Sequence, residues 1–205
     1  MKKTTKIVLK TASRVAGRAA KKYITRAAKD IVISMAGQSE GGPEAERTAV
    51  RVSDEMILRS MTEADRQQVV GMMRDFYSSE AVLTDGSDEI FNNDITECIS
   101  ESPYAEGFVF TNGDRDDAED LLLGYAIIAH SFSTEYGRHC IWIEDLYLRE
   151  EARGLGLASG FLDYLSAEYP DALHRLESEC ENAAAMELYK HKAFREMPYV
   201  EMFRE

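Results

Sequence analysis

A mixed β-sheet flanked by helices is the fold this sequence predicts: an α/β domain (α+β mixed sheet) preceded by a basic helix. Three observations carry that prediction. Residues 140–148 are apolar and aromatic except for one acidic pair, Glu144-Asp145, as in a buried strand that carries two carboxylates. The run Arg153-Gly154-Leu155-Gly156-Leu157-Ala158 follows at a glycine turn, after which Leu157, Phe161, Leu162 and Leu165 recur at helical spacing. Strand-like and helix-like stretches alternate on either side of this unit, so its neighbours extend a single sheet.

In chain order, residues 1–36 place Val8, Ala12, Val15, Ala19 and Tyr23 near one helical face, with Lys and Arg over the rest. That is a basic amphipathic helix or leader. It has no long apolar stretch, so a secretory signal is not expected. A leader, a membrane-surface helix, a nucleic-acid contact and a helix docked on the acidic domain or a partner all fit the pattern. A dispensable, loosely attached helix is the preferred reading. Residues 37–52 read as a polar, glycine-containing linker, and 53–205 as the folded domain.

A short strand around Met56-Ile-Leu-Arg59 opens the domain. Thr62-Glu-Ala-Asp65 has the form of a capping box. The helix it starts runs to about Phe76, with Val69, Val70, Met72, Met73 and Phe76 inward. Thr84-Asp-Gly-Ser-Asp88 breaks the chain, and a second helix spans 89–100 before Pro103. Strands follow over 106–111 and 122–132, joined by a hairpin loop whose acidic run lacks calcium-loop spacing. After the central strand and the helix from Leu157 to about Tyr169, a strand is expected over 173–180. A helix over 183–191 and a closing strand over 199–203 complete the pattern.

At 205 residues and 44% hydrophobic content, the chain has material for one domain with a normal core plus an extension. Its longest apolar run, 121–129, is too short for a transmembrane segment. Cys98, Cys140 and Cys180 are widely spaced and odd in number, which suits neither a disulfide framework nor a metal site. They point to a reducing, cytoplasmic setting. His130, His139, His174 and His191 also lack ligand spacing, so no metal is expected. Residues 1–33 carry ten Lys or Arg against one acid, whereas 34–205 carry 14 against 36. A domain that acidic repels nucleic acid and attracts cations.

Two glycines two apart let the backbone turn tightly and leave the first amides of the next helix uncovered. Those N–H groups and the positive end of the helix dipole suit a phosphate, and Arg153 adds a full charge. An ordinary strand-to-helix turn would also use such glycines for packing. A Rossmann dinucleotide site is the rival, with Glu177 and Glu179 about twenty residues on, where a ribose-binding acid belongs. Ser159 stands in place of the third glycine, and too few residues follow for two further βα units.

The same run, Arg153-x-x-Gly156-x-Ala158, resembles the [Gln/Arg]-x-x-Gly-x-[Gly/Ala] signature of the GNAT superfamily of N-acetyltransferases, in which this loop binds the pyrophosphate of acetyl-CoA. Ile143-Glu-Asp-Leu-Tyr-Leu148 is similar to the matching strand of the diamine and polyamine acetyltransferase branch. Asn182-x-x-Ala185-x-x-x-Tyr189-x-x-x-Ala193-Phe194 resembles the family's late Asn…Tyr…Gly-Phe motif, with Ala193 where glycine is usual. Three ordered motifs, over about the last 150 residues, imply the GNAT acyl-CoA N-acyltransferase fold and acetyl-CoA as co-substrate.

By that resemblance Arg153, Gly154, Leu155, Gly156, Leu157 and Ala158 hold the pyrophosphate. The backbone of Leu146, Tyr147 and Leu148 pairs with the pantetheine amides. Asn182 bonds the pantetheine, although its strand-to-helix junction also suits a helix cap. Tyr189 lies near the sulfur and protonates the leaving thiolate. If the backbone at Ala193 requires positive φ, its methyl group strains it.

Acyl transfer from a thioester to an amine needs a neutral amine, a stabilised oxyanion and a protonated leaving group. An alkylammonium with a pKa of about 10.4 becomes neutral at pH 7 at a cost of about 4.6 kcal/mol, and a placed carboxylate can take its proton. Glu144, matched by motif, is the candidate base or amine-binding group. Alternation puts it on the opposite face from Asp145, which is expected to be structural or amine-binding. A carboxylate merely paired with Arg175 or Arg138 is the plain alternative for Glu144.

The resulting expectation is an acetyl-CoA-dependent N-acetyltransferase acting on a small cationic amine by direct attack in a ternary complex. Acetylation of a protein lysine or amino terminus, and a non-catalytic acyl-CoA-binding module, remain open beside it. So does a homodimer.

Overall fold

The computed structural model describes residues 57–82, 84, 86–112 and 121–204 in full, together with the backbone of Ile33–Ser34, Ala49–Ser53 and residue 56. Seven strands lie in one sheet in chain order: β1 (Ile33–Ser34), β2 (Ala49–Ser53), β3 (Met56–Ser60), β4 (Ala105–Thr111), β5 (Leu122–Ser133), β6 (Arg138–Leu148) and β7 (Leu173–Leu176). Neighbours pair antiparallel up to β6. β6 and β7 run parallel, which requires a crossover, and α3 (Leu157–Glu168) supplies it.

β1 and β2 fall at the ends of the stretches expected as helix and linker. In β2 the valines of Ala-Val-Arg-Val-Ser alternate with other residues and find β3 as a neighbour, which is a strand's pattern. The rest of those two stretches lies outside the described residues.

α1 (Arg66–Tyr77) and α2 (Asp88–Ile99) cover one face of the sheet, and α3 covers the other with α4 (Ala183–His191). The start of α1 is set by buried Asp65. It accepts hydrogen bonds from the Thr62 N–H (2.7 Å) and hydroxyl (2.8 Å), and two from the Arg59 guanidinium (2.7 Å each). The Ser87 hydroxyl accepts the Ile90 amide (3.3 Å) and opens α2.

Val69, Val70, Met72 and Met73 of α1 meet Phe91 and Ile95 of α2 over Val109, Tyr125 and Ile127. On the other face Leu157, Phe161, Leu162 and Leu165 of α3 pack on Phe108, Phe110, Ala126, Ile128, Ile141 and Ile143. Alternation along β5 divides the two layers, since odd residues 125 and 127 face α1 and even residues 126 and 128 face α3. Among the described residues no helix is long and apolar enough to cross a membrane.

Two expectations at the carboxyl end need correction. β7 stops at Leu176, not 180, because β6 diverges from it there. Residues 199–203 form no strand, and Tyr199, Val200, Met202 and Phe203 are exposed. A strand needs a hydrogen-bonded neighbour, and among the described residues this segment has none.

Candidate active site

β6 carries one residue more than its partner. Ile127 faces Asp145 and Ile128 faces Ile143, so Glu144 sits in a β-bulge. Ile143 therefore enters the core beneath α3, whereas Asp145 is buried on the α1 side. Plain alternation would have put residues 143 and 145 on one face. Glu144, between them, is exposed.

The parallel pairing ends at the same place, Ile143 with Leu176 being its last pair. Beyond it β6 continues to Leu148 with β5 as its partner. The other edge of residues 144–148 meets no strand among the described residues, and the two parallel strands form a fork. Leu146 and Leu148 pack towards α3, and Tyr147 towards α1.

From the fork the chain runs into the glycine loop. Arg149 anchors it, its N–H reaching the Leu123 carbonyl (2.9 Å) and its guanidinium the Leu122 carbonyl (2.9 Å). A single 3-10 turn, Glu150–Ala152, delivers exposed Arg153, whose Nε donates to the Leu148 carbonyl (3.1 Å). Gly154 and Gly156 have φ of 75° and 85°, yet a Cβ at either would meet nothing within 4 Å. Conformation, not close packing, therefore requires glycine here. Gly156 is the N-cap of α3, and no side chain caps its first amides. Open N–H groups, the dipole and the Arg153 charge together suit an anion.

Acidic groups surround the fork. Glu144 has no ion pair among the described residues; Arg175 instead pairs with Glu135 (3.7 Å) and lies over the Trp142 ring at 5.5 Å. Partial desolvation, and then the Glu201 charge, raise the Glu144 carboxyl above its usual pKa. A hydrogen bond shared with Glu201 pushes Glu177 up to about 7, with partial burial and the charges of Glu201 and Glu144 adding to it. Asp145 is 5% exposed and accepts the hydroxyls of Tyr125 (2.9 Å) and Tyr77 (3.3 Å). Burial takes it up to about 6 against the opposing effect of those two bonds.

α4 contributes from the α3 side. The Asn182 side-chain oxygen accepts the Ala185 amide (3.2 Å), so it caps the helix. Tyr189 is half-buried against the core that also receives Leu146, Leu148 and Leu176, and its ring meets Phe194 edge-on at 5.9 Å. Burial raises its phenol above the usual value. After Lys192 the chain turns at Ala193 with φ of 64°, and the Phe194 amide closes the helix on the Tyr189 carbonyl (3.0 Å). Alanine thus occupies a left-handed helix cap where glycine carries no steric cost.

The structure adds Glu201, and gives Glu177 a place different from the ribose-binding one weighed for it. No motif marks either, since each acts through a partner distant in sequence. Tyr77 and Tyr125, which hold Asp145, carried only the signal of apolar periodicity. His130 and His139 lie elsewhere. His130 joins Glu106 (2.7 Å) to His139 (3.0 Å), the two rings stack, and Tyr169 donates to Glu106 (2.6 Å). Among the described residues no group of His, Cys, Asp or Glu is disposed to hold a metal ion.

A mixed sheet whose parallel strands part beside an open glycine loop is the architecture of an acetyltransferase class. Residues 67–194 match the model of the Acetyltransferase (GNAT) family, and the chain belongs to that family. No curated protein matches the sequence.

Solved structures share the fold. A possible acetyltransferase from Clostridium difficile 630 is 14% identical with a TM-score of 0.60, covering 74% of this chain and 98% of that one. AAC(6')-Iy in complex with the bisubstrate analogue CoA-S-monomethyl-acetylneamine is 13% identical with a TM-score of 0.56, covering 74% and 99%. A predicted acetyltransferase from Clostridium acetobutylicum with acetyl-CoA is 16% identical with a TM-score of 0.55, covering 72% and 96%. At such identities the likeness is one of fold.

Proposed function

We propose that the protein moves an acetyl group from acetyl-CoA to the primary amine of a small cationic substrate, by direct attack in a ternary complex. The observation that carries this reading is the fork itself. It opens at Glu144 and leads along the free edge of β6 to the uncapped amides after Gly156. The two complexes named above, one with acetyl-CoA and one with an analogue joining CoA to acetylneamine, support the choice of co-substrate and of an amine acceptor.

In this reading the pyrophosphate rests on the backbone of Gly154, Leu155, Gly156, Leu157 and Ala158, with Arg153 beside it. The pantetheine pairs with the backbone of Leu146, Tyr147 and Leu148, and the side-chain amide of Asn182 assists. Glu144, Glu177 and Glu201 draw the ammonium to the fork, and buried Asp145 adds negative charge from below. Glu144 accepts the ammonium proton directly or through water; its raised pKa brings it closer to that of the amine. The nitrogen lone pair then adds to the thioester carbon, the C–S bond breaks, and the thiolate takes the Tyr189 proton. Solvent reprotonates Tyr189 and takes up the proton held by Glu144 and the second proton of the acylated nitrogen, so the amide, free CoA and one net proton leave.

The exposure of Glu144 also favours a second acceptor class, the lysine or terminal amine of a protein, because nothing in the described fork encloses it. Calorimetry with CoA and acetyl-CoA, followed by CoA release with monoamines, polyamines and lysine peptides, tests both. Tight binding with release on small polyamines is expected, and release confined to peptides selects the second class. No heat with either CoA or acetyl-CoA overturns the enzymatic reading. Binding without release from any amine leaves an acyl-CoA-binding module.

A further inference from the structure

Arg175 stands just short of the fork. Its register partner is Trp142, and the next pair, Ile143 with Leu176, is the last before the strands part. Leu176 packs into the core beneath α3, so alternation turns Arg175, and Glu177 after it, to the opposite face. There the guanidinium lies over the Trp142 ring at 5.5 Å and meets Glu135 at 3.7 Å, with the side chain 28% exposed. A guanidinium has five N–H donors. That ion pair is too long for a hydrogen bond, and among the described residues the Arg175 side chain donates none.

Residues 199–201 fix where this cation stands relative to the acids. Tyr199 donates to Glu135 (3.1 Å), the carboxylate beside Arg175, and Glu201 bonds Glu177. The two contacts lie two residues apart on both segments, so cation and acids follow each other at about 7 Å, the rise of two extended residues. Glu144 belongs with the acids, since the charge of Glu201 acts on it. A cation resting on an aromatic ring, its donors unused, thus borders the carboxylates to which the proposed reaction assigns the amine.

We propose that Arg175 binds a carboxylate at the far end of the acceptor, so that ω-amino acids form a further substrate class of this site. The inference rests on the acetyl transfer proposed above. A planar guanidinium matches the two oxygens of a carboxylate, and the Trp142 ring beneath it limits its rotation. One negative charge suits the place better than the two of a phosphate, because Glu135, Glu177 and Glu201 repel each charge the ligand carries. In an α-amino acid the amine and carboxylate are too close together to reach both poles, whereas the chain of 6-aminohexanoate spans them.

CoA release by the full chain at saturating acetyl-CoA, with hexylamine, 6-aminohexanoate and 1,6-diaminohexane, tests this. The three share a carbon count and end in a methyl, a carboxylate and an ammonium. kcat/KM for 6-aminohexanoate should exceed that for hexylamine about tenfold, chiefly through KM. Arg175→Gln should abolish that advantage and shift the balance towards 1,6-diaminohexane, two changes of opposite sign that a merely structural role would not give. Arg175→Lys should keep part of the advantage. Glu135→Gln, which frees the guanidinium of its competing carboxylate, should widen it and serves also if Arg175→Gln does not fold. Equal kcat/KM for hexylamine and 6-aminohexanoate, an advantage that survives Arg175→Gln, or one that Glu135→Gln does not widen overturns the inference, while release from hexylamine leaves the proposed transfer standing. No release from any of the three overturns it together with the small-amine reading.

Discussion

Ile143 and Leu176 are the last residues at which β6 and β7 pair, and the next residue of β6, Glu144, is the one that bulges. A bulge bends its strand and sharpens its twist. One local irregularity thus ends the parallel ladder, frees the edge of residues 144–148 and brings Glu144 to solvent beside Glu201 and Glu177. In the proposed reaction the free edge and the carboxylates serve different substrates. Their meeting at one residue is what makes a ternary complex feasible there.

Glu144→Gln is expected to lower kcat/KM for the amine by about a hundredfold near neutral pH, within the usual range for a lost general base. Acetyl-CoA affinity should stay the same. A base works only when deprotonated, so natural activity should climb as pH rises through the raised pKa of Glu144. The amide variant should lose that limb. A pH–rate series at saturating acetyl-CoA checks it, and an unaltered profile would remove Glu144 from proton transfer.

Tyr189→Phe should cut kcat by about a hundredfold or more while acetyl-CoA binding, read by calorimetry, hardly moves. The ring's packing against Phe194 survives the change, so stability should fall little. Equal turnover in the two proteins would mean that the thiolate gains its proton elsewhere.

Asp145→Asn addresses the buried carboxyl. Its folded pKa, about 6, lies above the ordinary carboxylate value, so the folded state holds the proton more tightly than the unfolded chain. Its contribution is fully present below about pH 4 and is lost as pH rises through about 6. The natural protein should therefore lose about 2.4 kcal/mol relative to Asp145→Asn between pH 4 and 7. Urea unfolding of both proteins across that interval measures the difference, and parallel curves would contradict it.

Ala193→Gly should stabilise the fold by about 1 kcal/mol, because glycine accepts the left-handed backbone at φ of 64° without a methyl clash. For a domain of this size that raises Tm by about 2–4 °C. Thermal unfolding reads the change directly; an unchanged or lower Tm would show that the methyl group makes compensating contacts.

Much of this molecule was legible in the chain itself. The order of elements from β3 to α4 follows from apolar periodicity, and the starts of α1 and α4 from the Thr62 capping box and Asn182, because periodicity and capping are set by residues a few positions apart. The loop around Gly154 and Gly156 was readable for the same reason. A turn that needs positive φ advertises itself by glycine, and Ala193 drew notice by lacking it.

Tertiary structure decided the rest. Whether residues 177–180 or 199–203 become strand depends on a hydrogen-bonding neighbour, which no local pattern supplies. The bulge at Glu144 exists in the register between β6 and β5, and so belongs to neither strand alone. Asp145 owes its surroundings to Tyr77 and Tyr125, and Glu177 its raised pKa to Glu201, all brought together from distant parts of the chain. Local sequence names the groups; only the folded sheet sets which carboxylates are close enough to alter one another's charge, since that interaction depends on separation in space.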